Sequence, residues 1–477
     1  KAYECFLKSA KCGHVDAMNR VGECYFKGEG VEQDFTKAHV WYLSSAENDN
    51  SCAMFNVGLC YFKGQGVEQD LTKAYEWFMK SAESGNDVAM NYVGLCYYEG
   101  QGVTQDLTKA YEWYLKSAEN GNVDAMFNVG LCFDKGQGVT QDFTKAYEWY
   151  LKSANKGYAL AMFSVGVCYY NGQGVTQDFT KAYEWYLKSA NNGDALAMFN
   201  VGFCHSNGQG VTQDKTKAFE WYLKSAENGN ADAMNWVGWC YENGQGVTKD
   251  MTKAFKWHLK SANTEFAHAM SSVGDCYYYG KGVTQDFTKA LEWYLKAAGN
   301  GSSWGMYNAG WCYDNGKGVT QDQSKAFEWY LKSAENRNAS AMNSVGWHYE
   351  NGQGVTQDLT KAFEWYLKSG NNGNAVAMNN VGRCYDNGLG VVQDLTKAFE
   401  WYLKSANNGN ADAMNNVGRC YDNGWRVAQD FTKAFEWYLK SAEDGNASAM
   451  NNVGWCYAIG RGVTQDFTKA FEWYLKS

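Results

Sequence analysis

The stretch that decides the fold is residues 123–158, VDAMFNVGLCFDKGQGVTQDFTKAYEWYLKSANKGY. Versions of it follow one another every 36 residues, and its dipeptide Lys145-Ala146 recurs in register from Lys1-Ala2 to Lys469-Ala470. A fixed period of this length is typical of solenoids, in which each unit buries its apolar face against its neighbours. We therefore predict about thirteen repeats in one continuous array over residues 1–477, which starts and stops part-way along a helix.

Two amphipathic helices are predicted within each unit, since apolar residues recur at i, i+3, i+4 and i+7. The first, helix A, runs from about Val123 to Lys135 and ends at Gly136. The second, helix B, follows Asp142 and ends at Gly157. An Asp at the N-cap accepts hydrogen bonds from free amides of the first turn, and Gly supplies the left-handed backbone that ends a helix. Each unit is thus a helix-turn-helix hairpin, and the fold class is all-α.

The packing residues also keep their place in the unit. Trp149 and its equivalents widen the apolar face of helix B and are predicted to pack between repeats, while Glu148 and Lys152 have the i, i+4 spacing of an ion pair. Twelve cysteines share one position of helix A. Packed helices lie roughly 8–10 Å apart, beyond the ~7 Å Cα separation that a disulfide tolerates, so we expect buried free thiols. A bridge between Cys12 and Cys52, which lie outside this series, is left open.

These motifs resemble the Sel-1-like repeat family, a relative of the tetratricopeptide repeats. The similarity is carried by Ala125-Met126, Val129-Gly130, Cys132-Phe133, Gly136-Gln137-Gly138-Val139, Asp142, Lys145-Ala146, Glu148-Trp149-Tyr150 and Lys152-Ser153-Ala154. The resemblance implies a right-handed α/α superhelix and a role as adaptor or scaffold for protein complexes, with no catalytic residues to carry over. Some secreted bacterial members carry two cysteines per repeat that form a disulfide. This chain has one in that series, so the pattern does not transfer.

Composition excludes several functions. A net charge of -9 and a pI near 5.4 argue against nucleic acid or an anionic membrane as the main partner. No apolar run reaches the ~20 residues needed to span a bilayer. The six histidines occupy six different positions of the repeat, and no nucleophile–base or paired-carboxylate constellation stands apart from it. We therefore predict no catalytic residues, no metal site and no cofactor. The compartment stays unassigned, and a secreted protein that has lost its leader is left open because the sequence begins at Lys1.

Variation between the units indicates a binding surface. Phe127 and Leu131 project roughly opposite the buried stripe of helix A, on a face that we expect to meet solvent. Their equivalents are apolar early in the chain and include Trp and Arg later, the residue types most enriched at binding hot spots. The predicted partner is a protein or peptide. The candidate partner-binding residues are Phe55, Leu59, Tyr92, Leu95, Phe127, Leu131, Phe163, Val167, Phe199, Phe203, Trp239, Trp311, Trp347, Arg383, Arg419 and Trp455.

Three asparagines, Asn300, Asn338 and Asn446, fit the glycosylation sequon beside predicted turns. Neither end of the sequence carries a polar capping unit, which solenoids normally need. Either the sequence is part of a longer array, or the ends dock head to tail on identical copies and form an open polymer. Two functions follow. The first is a non-catalytic scaffold that binds proteins through helix A, and the alternative is a structural subunit that assembles into a filament, fibril or tube.

Overall fold

A computed structural model of the chain describes residues 2–477, so Lys1, where the array is predicted to begin, lies outside the described residues. The described part contains 27 helices and no strand. The helices, numbered in chain order, are α1 Ala2–Lys11, α2 Val15–Lys27, α3 Phe35–Ala46, α4 Ser51–Lys63, α5 Leu71–Glu83, α6 Asp87–Glu99, α7 Leu107–Glu119, α8 Val123–Lys135, α9 Phe143–Asn155, α10 Ala159–Asn171, α11 Phe179–Asn191, α12 Ala195–Asn207, α13 Lys215–Glu227, α14 Ala231–Asn243, α15 Met251–Ala262, α16 Ala267–Tyr279, α17 Phe287–Gly299, α18 Ser303–Asn315, α19 Gln323–Glu335, α20 Ala339–Asn351, α21 Leu359–Asn371, α22 Ala375–Asn387, α23 Leu395–Asn407, α24 Ala411–Asn423, α25 Phe431–Glu443, α26 Ala447–Ile459 and α27 Phe467–Lys476. Even-numbered helices are helices A, and odd-numbered helices are helices B.

The helices form two compact units. The first reaches Ala233 and includes Gln245–Val247, and the second comprises Met234–Gly244 and the chain from Thr248 onward. Within each unit, consecutive helices pack against one another, and the core is a series of small and aromatic side chains contributed by both helices of each hairpin. This is the all-α solenoid that the period predicts.

The predicted helix ends are confirmed. Asp142 Oδ1 accepts hydrogen bonds from the backbone amides of Thr144 and Lys145, both at 3.0 Å. Gly136 ends α8 with φ 65°, and Gly157 follows α9 with φ 96°. Three repeats place another residue at the Gly157 position, and those residues, Asp49, Glu265 and Arg337, still adopt φ of 63–64°. The backbone of the repeat therefore imposes the left-handed conformation whatever the side chain.

The hairpin of α8 and α9 is closed by two contacts between its helices. Gly130 lies so close to Tyr150 that an added Cβ would be 2.6 Å from the ring, which explains the absence of a side chain at that position. The buried Ser153 hydroxyl donates to the Val123 carbonyl at 2.8 Å and so satisfies a backbone group at the start of helix A. The turn between helices A and B carries the contact to the preceding repeat, because a Cβ on Gly138 would lie 1.9 Å from the Leu107 carbonyl oxygen.

The thiols of the cysteine series are free and buried, as predicted, and burial raises the pKa of Cys132 to about 11. Cys12 and Cys52 are free and exposed, so the bridge left open between them is not formed. Trp149 is half-buried within the core cluster that spans several repeats. The Lys152 ammonium lies 3.9 Å from the centre of the Trp149 ring, so a cation–π contact takes the place of the predicted pair with Glu148.

Candidate binding face of helix A

The first part of this face is the Phe127 row, which we define as the aromatic residues at the Phe127 position of helix A. Its members are Phe55, Phe127, Phe163, Phe199 and Tyr307. These rings are half-buried rather than fully exposed, because each packs on an aromatic ring of helix B in its own hairpin. The Phe127 and Tyr150 centroids, for example, are 5.5 Å apart. Tyr92, one position further along its helix, lies 5.1 Å from Phe55 and fills the repeat in which the row is interrupted by Asn91.

The second part is the Leu131 row, one position in each helix A from α4 to α26. Its members are Leu59, Leu95, Leu131, Val167, Phe203, Trp239, Asp275, Trp311, Trp347, Arg383, Arg419 and Trp455. None is fully buried. Trp239, Trp347 and Trp455 are exposed at 42, 45 and 38%, an unusual exposure for the largest apolar side chain. The row thus presents aromatic surface to solvent in the second compact unit.

The two arginines of the row differ in their surroundings. The Arg383 guanidinium donates to the Glu350 carboxylate at 2.6 Å, and Glu350 also accepts from the Tyr366 hydroxyl at 2.7 Å. Arg419 is exposed, and its guanidinium lies 5.6 Å from the centre of the Trp425 ring. Arg383 is therefore neutralised within the protein, whereas the charge of Arg419 faces solvent.

Four cavities open on this face, and each is lined by two successive members of the Leu131 row. One of about 200 Å³ lies between Leu95 and Leu131. The others hold about 350 Å³ beside Asp275 and Trp311, about 500 Å³ beside Trp311 and Trp347, and about 410 Å³ beside Arg419 and Trp455. Stacking of neighbouring helices A thus leaves a recess between row members at these four places.

Asparagine side chains run alongside the cavities. Asn343, beside the 500 Å³ cavity, accepts from Asn380 at 3.0 Å, and Asn452, beside the 410 Å³ cavity, donates to Asn415 at 2.8 Å. Amides of successive helices A are thus joined by hydrogen bonds. A side-chain amide has two donor hydrogens and two acceptor lone pairs, and one such bond leaves part of that capacity unused. The face therefore combines aromatic recesses with amide groups that remain able to bind main-chain atoms.

Of the residues that line the 350 Å³ cavity, only Trp311 belongs to the predicted set, and the others include Asp275, Trp304 and Tyr307. Asp275 occupies the Leu131 row but is not among the residues predicted to bind a partner. The signal was available in the repeat itself, because Asp275 is the only Asp at its position of helix A and Trp304 the only Trp at its position.

The three sequon asparagines occupy different settings. Asn300 is exposed at the end of α17. Asn338 and Asn446 are N-caps, with Oδ1 accepting from the Ala341 amide at 2.9 Å and from the Ala449 amide at 2.7 Å. A glycan on either would have to coexist with that helix cap.

Membrane-spanning helices and metal sites were the other features to consider within residues 2–477 of the protein. No helix there combines the length and apolar character needed to cross a membrane. No group of three His, Cys, Asp or Glu side chains in this part of the chain is arranged to hold a metal ion.

The hairpin geometry and the recessed face define an α-helical repeat protein of the solenoid class. The Sel1 repeat matches the chain throughout, and the chain belongs to the Sel1 repeat family. The matched segments are residues 1–14, 15–50, 53–86, 87–122, 123–158, 159–194, 195–230, 231–263, 267–302, 305–338, 339–374, 375–410, 411–446 and 447–477. Proteins of this family are known as scaffolds for protein interactions and are generally non-catalytic.

Solved structures of the same kind are similar to the chain. A protective antigen of uropathogenic Escherichia coli strains, which displays an SLR fold, is 30% identical over 94% of this chain and 96% of its own, with a TM-score of 0.64. A Sel1 repeat protein from Oxalobacter formigenes is 28% identical over 65% of this chain and 90% of its own, with a TM-score of 0.53. None of the curated proteins matches the chain significantly.

Proposed function

We propose that this chain is a non-catalytic scaffold that binds a protein or peptide segment along the Leu131 row of helix A. In this proposal, residues 1–477 act as one continuous array and the recesses between successive helices A receive side chains of the bound segment. The observation that carries the proposal is the position of the four cavities, each between neighbouring members of one row.

The chemistry of the face supports a polypeptide ligand. Exposed tryptophans beside a recess are the usual anchors of binding energy at protein interfaces. The amides of Asn128, Asn343 and Asn452 line three of the recesses, where they are suited to the N–H and C=O groups that an extended segment presents at regular intervals. A ligand held at both kinds of contact has its side chains and its main chain recognised by the same face.

The test uses short random peptides displayed on phage and selected on the immobilised full chain. Enriched peptides are synthesised, and their Kd is measured by fluorescence anisotropy against the wild type and two variants. Trp347→Ser removes an exposed ring from the Leu131 row. Val392→Ser is the matched control, because Val392 is 86% exposed in a turn away from the row.

We expect Trp347→Ser to weaken peptide binding at least about tenfold, with unchanged circular dichroism and melting, and Val392→Ser to leave the Kd unchanged. Failure to enrich any peptide, or equal binding by all three proteins, would refute the proposal. Light scattering on the same samples addresses the alternative of a structural subunit: concentration-dependent growth of particles that Trp347→Ser abolishes would assign this face to contacts between copies of the chain.

A further inference from the structure

The 350 Å³ cavity is an aromatic recess built around one carboxylate. Tyr278 and Trp311 meet edge to face with centroids 5.3 Å apart, and Trp304 stacks on Tyr307 at 5.4 Å with an interplanar angle of 27°. Asp275 lies between these two pairs of rings and lines the same cavity. The recess therefore offers the negative faces of several rings together with a formal negative charge.

The protein holds the Asp275 carboxylate in place without neutralising it. The Tyr294 hydroxyl donates to Oδ1 at 2.6 Å, and the Asn308 amide lies 3.5 Å from the same oxygen. Among residues 2–477, no cationic side chain forms an ion pair with Asp275, since the neighbouring Lys281 is paired with Glu242. Burial raises the pKa of the Asp275 carboxyl, and the hydrogen bond from Tyr294 opposes that rise. The charge of Lys281 lowers the pKa of Asp275 through space but forms no ion pair with it. A carboxylate without an ion-pair partner in such a setting favours the arrival of a cation.

Departures from the repeat converge on this cavity. Gly305 is the only Gly where every other repeat has Ala, and Ala297 replaces a Ser that recurs in the other repeats. The two changes are coupled, because a Cβ on Gly305 would lie 2.7 Å from the Ala297 Cβ. Ser271 takes over the lost hydroxyl contact by donating to the Ala267 carbonyl at 3.3 Å. The buried packing of the repeat therefore differs next to Trp304, which lines the recess.

We propose that this cavity binds a basic side chain, Lys or Arg, of the polypeptide that the scaffold carries. The inference rests on the proposed function and adds the chemistry of one recognition site. Aromatic faces around a carboxylate suit an ammonium or guanidinium group, which gains cation–π and ion-pair contacts together. The Lys281 ammonium already lies 5.2 Å from the centre of the Tyr279 ring at the rim, so a cation is accommodated there.

Two further observations favour a polypeptide over a free small cation. Tyr307 and Trp311 line both this cavity and the neighbouring one of about 500 Å³, so a segment anchored at Asp275 continues directly into the next recess. The net charge of -9 attracts a basic partner and raises its association rate. The bound segment is therefore expected to carry a basic residue beside one that fills the Trp311–Trp347 recess.

The test uses probes that do not depend on a selected peptide. The full chain is labelled with 5-fluorotryptophan, and the Trp304 and Trp311 signals are assigned from Trp304→Phe and Trp311→Phe variants. N-acetyl-arginine amide is then titrated by ¹⁹F NMR, with N-acetyl-citrulline amide as its neutral isostere. The variant Asp275→Asn keeps an oxygen acceptor for Tyr294, and Asp444→Asn removes the same charge from an exposed site at the end of α25.

We expect shifts of both signals to give the arginine amide a Kd at least about tenfold lower than that of the citrulline amide. Asp275→Asn should abolish this preference, and Asp444→Asn should not. Equal binding of both amides would mean stacking without charge recognition and would overturn the inference. If peptides are selected by Trp347 while the arginine amide fails to bind, the inference falls and the scaffold function stands. If the amide binds but no peptide is ever selected, a free cation replaces the polypeptide as the source of the charge.

Discussion

Arg426 is the position where the repeat most clearly departs from its own backbone requirement. It has φ 59° and stands where every other repeat has Gly. At the equivalent Gly390, a Cβ would lie 1.9 Å from the Leu359 carbonyl oxygen, far inside the ~3.5 Å of a relaxed contact. A left-handed backbone costs an L-residue roughly 1–2 kcal/mol, and extra freedom of Gly in the unfolded chain returns about 0.5–1 kcal/mol of that. Arg426→Gly should therefore stabilise its surroundings by about 0.5–1 kcal/mol.

Hydrogen exchange is the suitable assay, because a repeat array does not unfold as one two-state unit. Amides of α24 and α25 should exchange about two- to fivefold more slowly in Arg426→Gly than in the wild type. The control Arg426→Ala removes the guanidinium but keeps the strained backbone, so its exchange should stay near the wild-type rate. Gly390→Ala should act in the opposite direction, by about 2–4 kcal/mol. An Ala variant as protective as the Gly variant would show that loss of the charge, and not relief of φ, is responsible.

Two other changes test the frame and its electrostatics. Trp149→Ala should destabilise α9 and its neighbours by about 2–3 kcal/mol, less than for a fully buried Trp because the ring is half-buried, and unaltered exchange there would contradict its role in packing. The pKa of Glu242 is lowered to about 2, chiefly by the imidazole of His258, whose Nε2 lies 3.8 Å from Oε2, and then by Lys281. Because the folded-state pKa lies below the usual 4.5, this stabilisation is present above pH 4.5 and is lost as pH falls toward 2. Unfolding followed by circular dichroism should then show that the free energy of unfolding falls by up to about 3 kcal/mol over that pH range in the wild type and by less in Glu242→Gln. Identical profiles would refute a stabilising role for the Glu242 carboxylate.

Most of the fold was predictable because the same structural signals recur in thirteen copies. A single Asp before an apolar run is weak information, but the same Asp at the start of every helix B defines a cap, and Asp142 proves to be one. The positions that break a rule were less predictable. The residue types of Asp49, Glu265 and Arg337 do not predict a positive φ. The surrounding repeat imposes that conformation on them.

The candidate site divides in the same way. Helical spacing placed Phe127 and Leu131 on one face, but it could not give their exposure, because that depends on how closely the Tyr150 ring of the partner helix approaches. Recesses between neighbouring helices depend on the distance between hairpins, which periodicity does not contain. Trp304 was missed for a further reason: its importance comes from the stacked Tyr307 and from Asp275, and that juxtaposition exists only after packing.

The positions that differ between repeats indicate how such a scaffold acquires specificity. Contacts that hold a hairpin together, such as Gly130 on Tyr150 and Ser153 on the Val123 carbonyl, do not use the side chains of the Leu131 row. Substitution in the row therefore leaves the hairpin intact, and aromatic, acidic and basic side chains all occur there. Around Asp275 the variation also extends to buried packing positions, at Ala297 and Gly305. Substitution of buried residues such as Ala297 and Gly305 alters packing, which a substitution on the surface does not. A functional requirement for the shape of this recess explains why these buried residues differ from the other repeats.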